Sequence, residues 1–138
     1  MKKVFLDIVF DYEFVLYGIV SQEQPHRLAW IINQHTGSNF KRVEDLVFNQ
    51  NEIDEMNISR FTFHDELNHL DFDLLANKDG NRFLLQELRK IDYFILVKGA
   101  LESFKKRKFT EPFKKVDGIQ IIHEINHHKL KEKENLIF

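Results

Sequence analysis

Cysteine is absent from this 138-residue chain, which removes disulfides, thiolate catalysis and Cys-based zinc or iron–sulfur centres in one step. A reducing cytoplasm is consistent with that composition. No apolar run approaches the roughly 20 residues of a membrane span. The N-terminal MKKVFLDIVF sets two lysines before apolar residues, as a signal peptide does. Asp7, Asp11 and Glu13 break the run, however, and no small-residue cleavage site follows. There is no Gly-rich phosphate loop, no G-x-S-x-G elbow and no nucleophile flanked by an evident base. The expectation is a soluble cytoplasmic protein without membrane contact, resident metal or cofactor.

What is present describes an ordinary folded domain. The length suits a single globular domain over residues 1–138, with 43% hydrophobic and 30% charged residues. One Trp stands against 14 Phe, so the predicted core is rich in phenylalanine, which buries area without a polar atom to satisfy. The net charge of −2 hides an asymmetry: residues 1–97 carry −6 and residues 98–138 carry +4. Asymmetry of this kind is a reason to consider an anionic partner at the basic end. Two halves solvating opposite sides would give the same numbers, and that plainer reading is preferred.

Two stretches follow one plan. Phe14–Phe48 reads as strand (FVLYGIVS), polar turn, helix and strand (VEDLVFN). Asp92–Asn126 reads as strand (DYFILVKG), turn, helical stretch and strand (GIQIIHEIN). In the first helix Pro25 suits N1 and Gly37 suits C′, with Leu28, Ile31, Ile32 and His35 on one face. Trp30 is expected to be at least partly buried beside them. Pro112 predicts a kink or two short helices near Thr110, with Thr110 capping the second piece. Between the units, after a polar connection over Asn49–Ser59, RFTFHDE and HLDFDLLANK alternate as strands with one wet face do. Turns are predicted at Glu66–His69 and at Lys78–Asn81, where Asp-Gly favours a primed turn. The predicted class is α+β: a mostly antiparallel sheet with two helices on one face. A ferredoxin-like or ACT-like arrangement is the nearest common architecture. A further strand over Val4–Val9 pairs at an edge in this reading.

Leu84–Gly99 reads LLQELRKIDYFILVKG. Leu85, Gln86 and Glu87, then three free positions, then Ile91, Asp92 and Tyr93 closely resemble the signature of the IPExxxVDY family of small bacterial proteins. Gln86 stands where that family has proline, so the rigidity a proline would impose is missing. The family has no assigned biochemical function, and the resemblance therefore implies neither an activity nor a cofactor.

Three constellations are candidates for chemistry. His123-Glu124-Ile125-Asn126-His127 is a literal H-E-x-x-H, which on a helix would offer two zinc ligands and a general base. GIQIIHEI reads as strand instead, where i and i+4 lie about 13 Å apart, too far for one metal. His127, His128 and the following lysines read as a solvated segment. Glu87 and Asp92 can in principle act as acid and base, but a structural role is favoured: Asp92 anchors the turn into the strand, and Tyr93 packs its ring and finds one hydrogen bond. Lys105, Lys106, Arg107 and Lys108, with Lys98, Lys114 and Lys115 nearby, form a surface for an anionic partner such as RNA. Four consecutive basic residues point around most of a helix, so they cannot all face one ligand.

The leading functional expectation is a non-enzymatic protein-interaction or adaptor module, as a homodimer or bound to another protein. The apolar tail Glu134–Phe138 is expected to dock on its own sheet or into a neighbour. The alternative is an RNA-associated accessory protein using the Lys98–Lys115 segment. A small-molecule sensor, with its site at the turn Ser21–Gln24, ranks third.

Overall fold

The computed structural model describes residues 13–138; the strand expected over Val4–Val9 lies outside them. In chain order the elements are β1 (Val15–Val20), α1 (Pro25–Thr36), β2 (Lys41–Phe48), β3 (Met56–Asp65), β4 (Leu70–Ala76), β5 (Lys78–Asp79), β6 (Arg82–Phe83), β7 (Tyr93–Gly99), α2 (Lys106–Thr110) and β8 (Ile121–Ile125). Six strands form one sheet in the order β2-β3-β4-β7-β1-β8, and every neighbouring pair is antiparallel. Strands β5 and β6 make a separate two-residue ladder.

The α+β architecture is that expected from the sequence. Because directions alternate across the sheet, β1 runs parallel to β2 and to β4, and β7 runs parallel to β8. Both strand–helix–strand units are therefore crossovers. The order β8-β1-β7-β4 is that of a ferredoxin-like sheet, but the first crossover, β1–α1–β2, passes over β7, β4 and β3 to end on β2 at the far side. The hairpin partner β3 and the edge strand β2 extend that core on one side. Strand β3 begins at Met56, inside the stretch read as a polar connection.

Local chemistry accounts for the element ends. Pro25 opens α1, and Gly37 closes it at φ 77°, its N–H donating to the Asn33 carbonyl. Leu28, Ala29, Ile31 and Ile32 are buried. Two expectations for this helix need correction. His35 is exposed and turns its Nδ1 to the Ile31 carbonyl oxygen at 3.0 Å. Trp30 lies outside the core stripe, 50% exposed, with the Arg27 guanidinium 4.7 Å above its ring. The break at Pro112 is present: α2 ends at Thr110 and a 3-10 turn follows over Glu111–Lys115. Thr110 does not cap that turn; its hydroxyl bonds back to the Lys106 carbonyl, the competing local bond that threonine makes inside helices.

Both faces of the central sheet are covered. Tyr17, Ile19, Phe72, Leu74, Ile95 and Val97 pack under α1 and the Phe113 turn. Leu16, Leu75, Phe94 and Leu96 point the other way, against Leu84, Leu85, Ile91 and Leu136. This second cover is the loop before β7 together with the C-terminal tail, and neither is a regular helix. The tail thus docks on its own sheet. Only the outer part of this face, around Arg60, His64 and Asp71, keeps the wet character that alternation predicted.

Candidate functional site

The signature residues form a structural knot. Asn77, which no sequence pattern singles out, is fully buried at its centre. Its Nδ2 donates to the Leu88 and Ile91 carbonyls at 3.0 and 2.8 Å, and its Oδ1 accepts the Leu85 N–H at 2.9 Å. That fixes both ends of the loop from Leu85 to Ile91. Glu87 Oε1 accepts the N–H groups of Lys131 and Glu132 at 2.8 and 3.1 Å, while Glu87 N–H donates to the Glu132 carboxylate at 3.3 Å. The C-terminal tail is pinned by this reciprocal pair. Asp92 Oδ2 accepts the Ser21 N–H at 2.9 Å, and the Tyr93 hydroxyl donates to the Glu23 carbonyl at 2.6 Å. Burial, with Asp92 and Glu23 close by, pushes the Tyr93 phenol up to about 12.

These bonds also occupy the turn Ser21–Gln24. Ser21 is buried, its hydroxyl donating to the Gly118 carbonyl and accepting the Glu23 N–H. The Ser21 hydroxyl and the Glu23 backbone are thus engaged by the fold, while Gln22, Glu23 and Gln24 line a cavity of about 410 Å³ beside Asn57 and Lys78.

The H-E-x-x-H string falls on β8 and the turn after it, not on a helix. His123 is exposed on the strand, and Glu124 pairs with Lys106 Nζ at 2.8 Å. His127 corrects the expectation of a solvated segment: it is only 7% exposed, and its ring stacks on Phe14 at 3.8 Å. Its Nε2 lies 2.9 Å from the Phe14 carbonyl oxygen; since a carbonyl only accepts, Nε2 carries the proton. Burial lowers its pKa from the ordinary 6.5. No group of metal-ligating side chains converges among the described residues.

The basic residues do not form one surface. Lys98 sits on the opposite face of the sheet from α2, 3.6 Å from Asp73, which also accepts from Arg60 Nε at 2.9 Å. Asp73 is buried there, and the Phe138 ring covers both cations at 4.3 and 4.9 Å. Lys106 is paired with Glu124 and Lys114 with Glu111. Lys105, Arg107, Lys108 and Lys115 have no ion-pair partner among the described residues.

Lys105 and Lys108 stand on the rim of the most distinctive cavity, a groove of about 500 Å³ between the end of α1, the β3–β4 hairpin and α2. Its floor is aromatic. Phe63 stacks on Phe72 at 5.5 Å, Phe72 on Phe109 at 5.6 Å, and Phe109 tilts against Phe104 at 5.4 Å. Behind Phe104 and Phe109 lies Tyr17, whose hydroxyl is the buried side-chain polar atom left without a partner among the described residues. Desolvation and the nearby Glu124 charge raise that phenol to about 12.

Among the described residues, the two outer strands of the sheet differ. Edge strand β2 carries Lys41, Arg42, Glu44 and Asp45 and is broken by a bulge between Val43 and Leu46. Edge strand β8 pairs with β1 in unbroken register over all five of its residues, with Ile121 51% exposed. No family model matches this chain, and no curated protein or solved structure is significantly similar to it.

Proposed function

We propose that this chain is a non-enzymatic interaction module of the cytoplasm, allied to the IPExxxVDY proteins, that associates with a second copy of itself through β8. The contrast between its edges carries the reading. Natural sheets blunt free edges with charges and bulges that deny a pairing partner, and β2 has both. Strand β8 is regular, bears no lysine or proline, and exposes an isoleucine, and its one carboxylate, Glu124, is paired with Lys106. Antiparallel pairing of β8 with its counterpart is self-complementary, as a twofold dimer requires, and it would satisfy the outward backbone groups of both copies.

Sedimentation equilibrium tests this directly. At about 50 μM, a concentration that populates complexes of micromolar Kd, the protein should sediment as a dimer. Placing lysines on the edge, in the double variant Ile121→Lys and His123→Lys, should yield a monomer with an unchanged circular dichroism spectrum. A wild-type monomer, or a dimer indifferent to both lysines, would sink the proposal.

An RNA-associated role has less to draw on. Lys98 faces away from the α2 surface, and Lys106 and Lys114 are partly neutralised, whereas phosphate-backbone readers set several cations along one track.

A further inference from the structure

The geometry points to a small-molecule site in the phenylalanine-floored groove, one that takes an aromatic compound bearing a single carboxylate. This goes beyond β8 pairing and does not depend on it. The volume of about 500 Å³ lies within the range of sites that hold small ligands. Rings of Phe63, Phe72, Phe104 and Phe109 offer faces and edges to a flat apolar body.

Charge decides the polar end of the ligand. Both Asp65 oxygens are engaged by Asn68, through its N–H and its Nδ2. The Thr36 hydroxyl donates to the Ile32 carbonyl and meets the Ser38 hydroxyl, and the Ser103 hydroxyl donates to the Ala100 carbonyl. Lys105 and Lys108 have no ion-pair partner among the described residues, so the lining sets two positive charges against the one negative charge of Asp65. The groove is also lined by Thr36 and Gly37 at the C-terminus of α1. A ligand carboxylate is attracted to the ammonium groups, which fixes the charge the groove prefers.

Titration calorimetry and amide shift mapping with 4-phenylbutyrate and 4-phenylbutan-1-ol test the site, since the two probes share a ring and chain and differ in charge. The acid should bind at least about tenfold more tightly, the ratio expected from one charge-assisted hydrogen bond, with shifts confined to the groove. K105Q/K108Q should erase that ratio while leaving the alcohol's affinity unchanged. R107Q, which alters a cation outside the lining, should preserve it. Equal affinity for both probes, shifts outside the groove, or a ratio indifferent to K105Q/K108Q would overturn the assignment. Displacement of the acid at physiological salt by micromolar single-stranded RNA would also overturn it and return these lysines to a phosphate-binding role. The β8 lysine variant separates the two proposals, because a monomer that still prefers the acid retains the groove without the dimer.

Discussion

Two buried tyrosines on neighbouring strands end in opposite circumstances. The Tyr93 hydroxyl donates to the Glu23 carbonyl at 2.6 Å, whereas the Tyr17 hydroxyl is buried with no partner among the described residues. An internal hydrogen bond contributes about 1 kcal/mol net, and a buried orphan group costs a similar amount or more. Tyr93→Phe should therefore destabilise the fold by about 1 kcal/mol. Tyr17→Phe should be neutral or stabilising by a few tenths of a kcal/mol or more. Urea denaturation of both variants checks the pair, and an equal loss in the two would contradict it. That Asp92 accepts a backbone N–H and Tyr93 makes one hydrogen bond was legible in the sequence; that both partners lie in the turn after β1, about 70 residues away, was not. The roles of Asn77 and His127 were not legible either. Asn77 falls at the end of HLDFDLLANK, read as a strand before the turn Lys78–Asn81, and its partners come from a loop up to 14 residues away. His127 is buried by Phe14, from the far end of the chain. Trp30 misled for the converse reason: composition says that tryptophan is usually covered, but its helix already has four smaller residues under it.

At the scale of elements, the strands of the six-stranded sheet were readable, save the start of β3 at Met56, because each is an apolar or alternating run between turn residues, and the break at Pro112 because a proline cannot continue a helix. The cover on the second face was not readable: Leu84–Leu88 and Leu130–Leu136 have neither the period of a helix nor that of a strand. That cover is held by few bonds. Besides the Glu87 contacts, Asn135 Nδ2 donates to the Leu84 carbonyl at 2.8 Å, and Leu136 is buried. Glu87→Ala removes the acceptor shared by two N–H groups and should loosen the tail locally, by about 1 kcal/mol, as loss of a helix cap does. Hydrogen exchange should then quicken over Lys131–Leu136 while β1 and β7 stay protected. Unchanged exchange in the tail would show that Leu136 burial alone secures it. A second closure is steric. Gly99 ends β7 at φ 112°, and a Cβ there would collide with the His69 carbonyl oxygen, so the hairpin turn and the end of β7 approach as only glycine allows.

The whole molecule is organised around pairings between distant parts of the chain. Strand β1 has two ladder partners, β7 and β8, and both lie in the last third of the sequence. A fragment ending at Lys90 retains β2, β3 and β4 but leaves β1 with no neighbour and exposes the apolar residues that α1 should cover. It should be unfolded, with a collapsed amide proton spectrum; a dispersed one would show that the β2–β4 meander and α1 suffice. Domains dominated by such non-local contacts fold slowly, since loop closure must precede the contacts that reward it.

The central position of β1 also has a consequence for how the protein comes into being. During synthesis β1 emerges early, and its second flank is complete only when Ile125 has been made. At about 5–20 residues per second, that interval is roughly 6–22 s, during which Leu16, Tyr17 and Ile19 have no native strand beside them for most of the time. The nascent chain thus carries an apolar central strand without its two native neighbours until β7 and β8 have both been made.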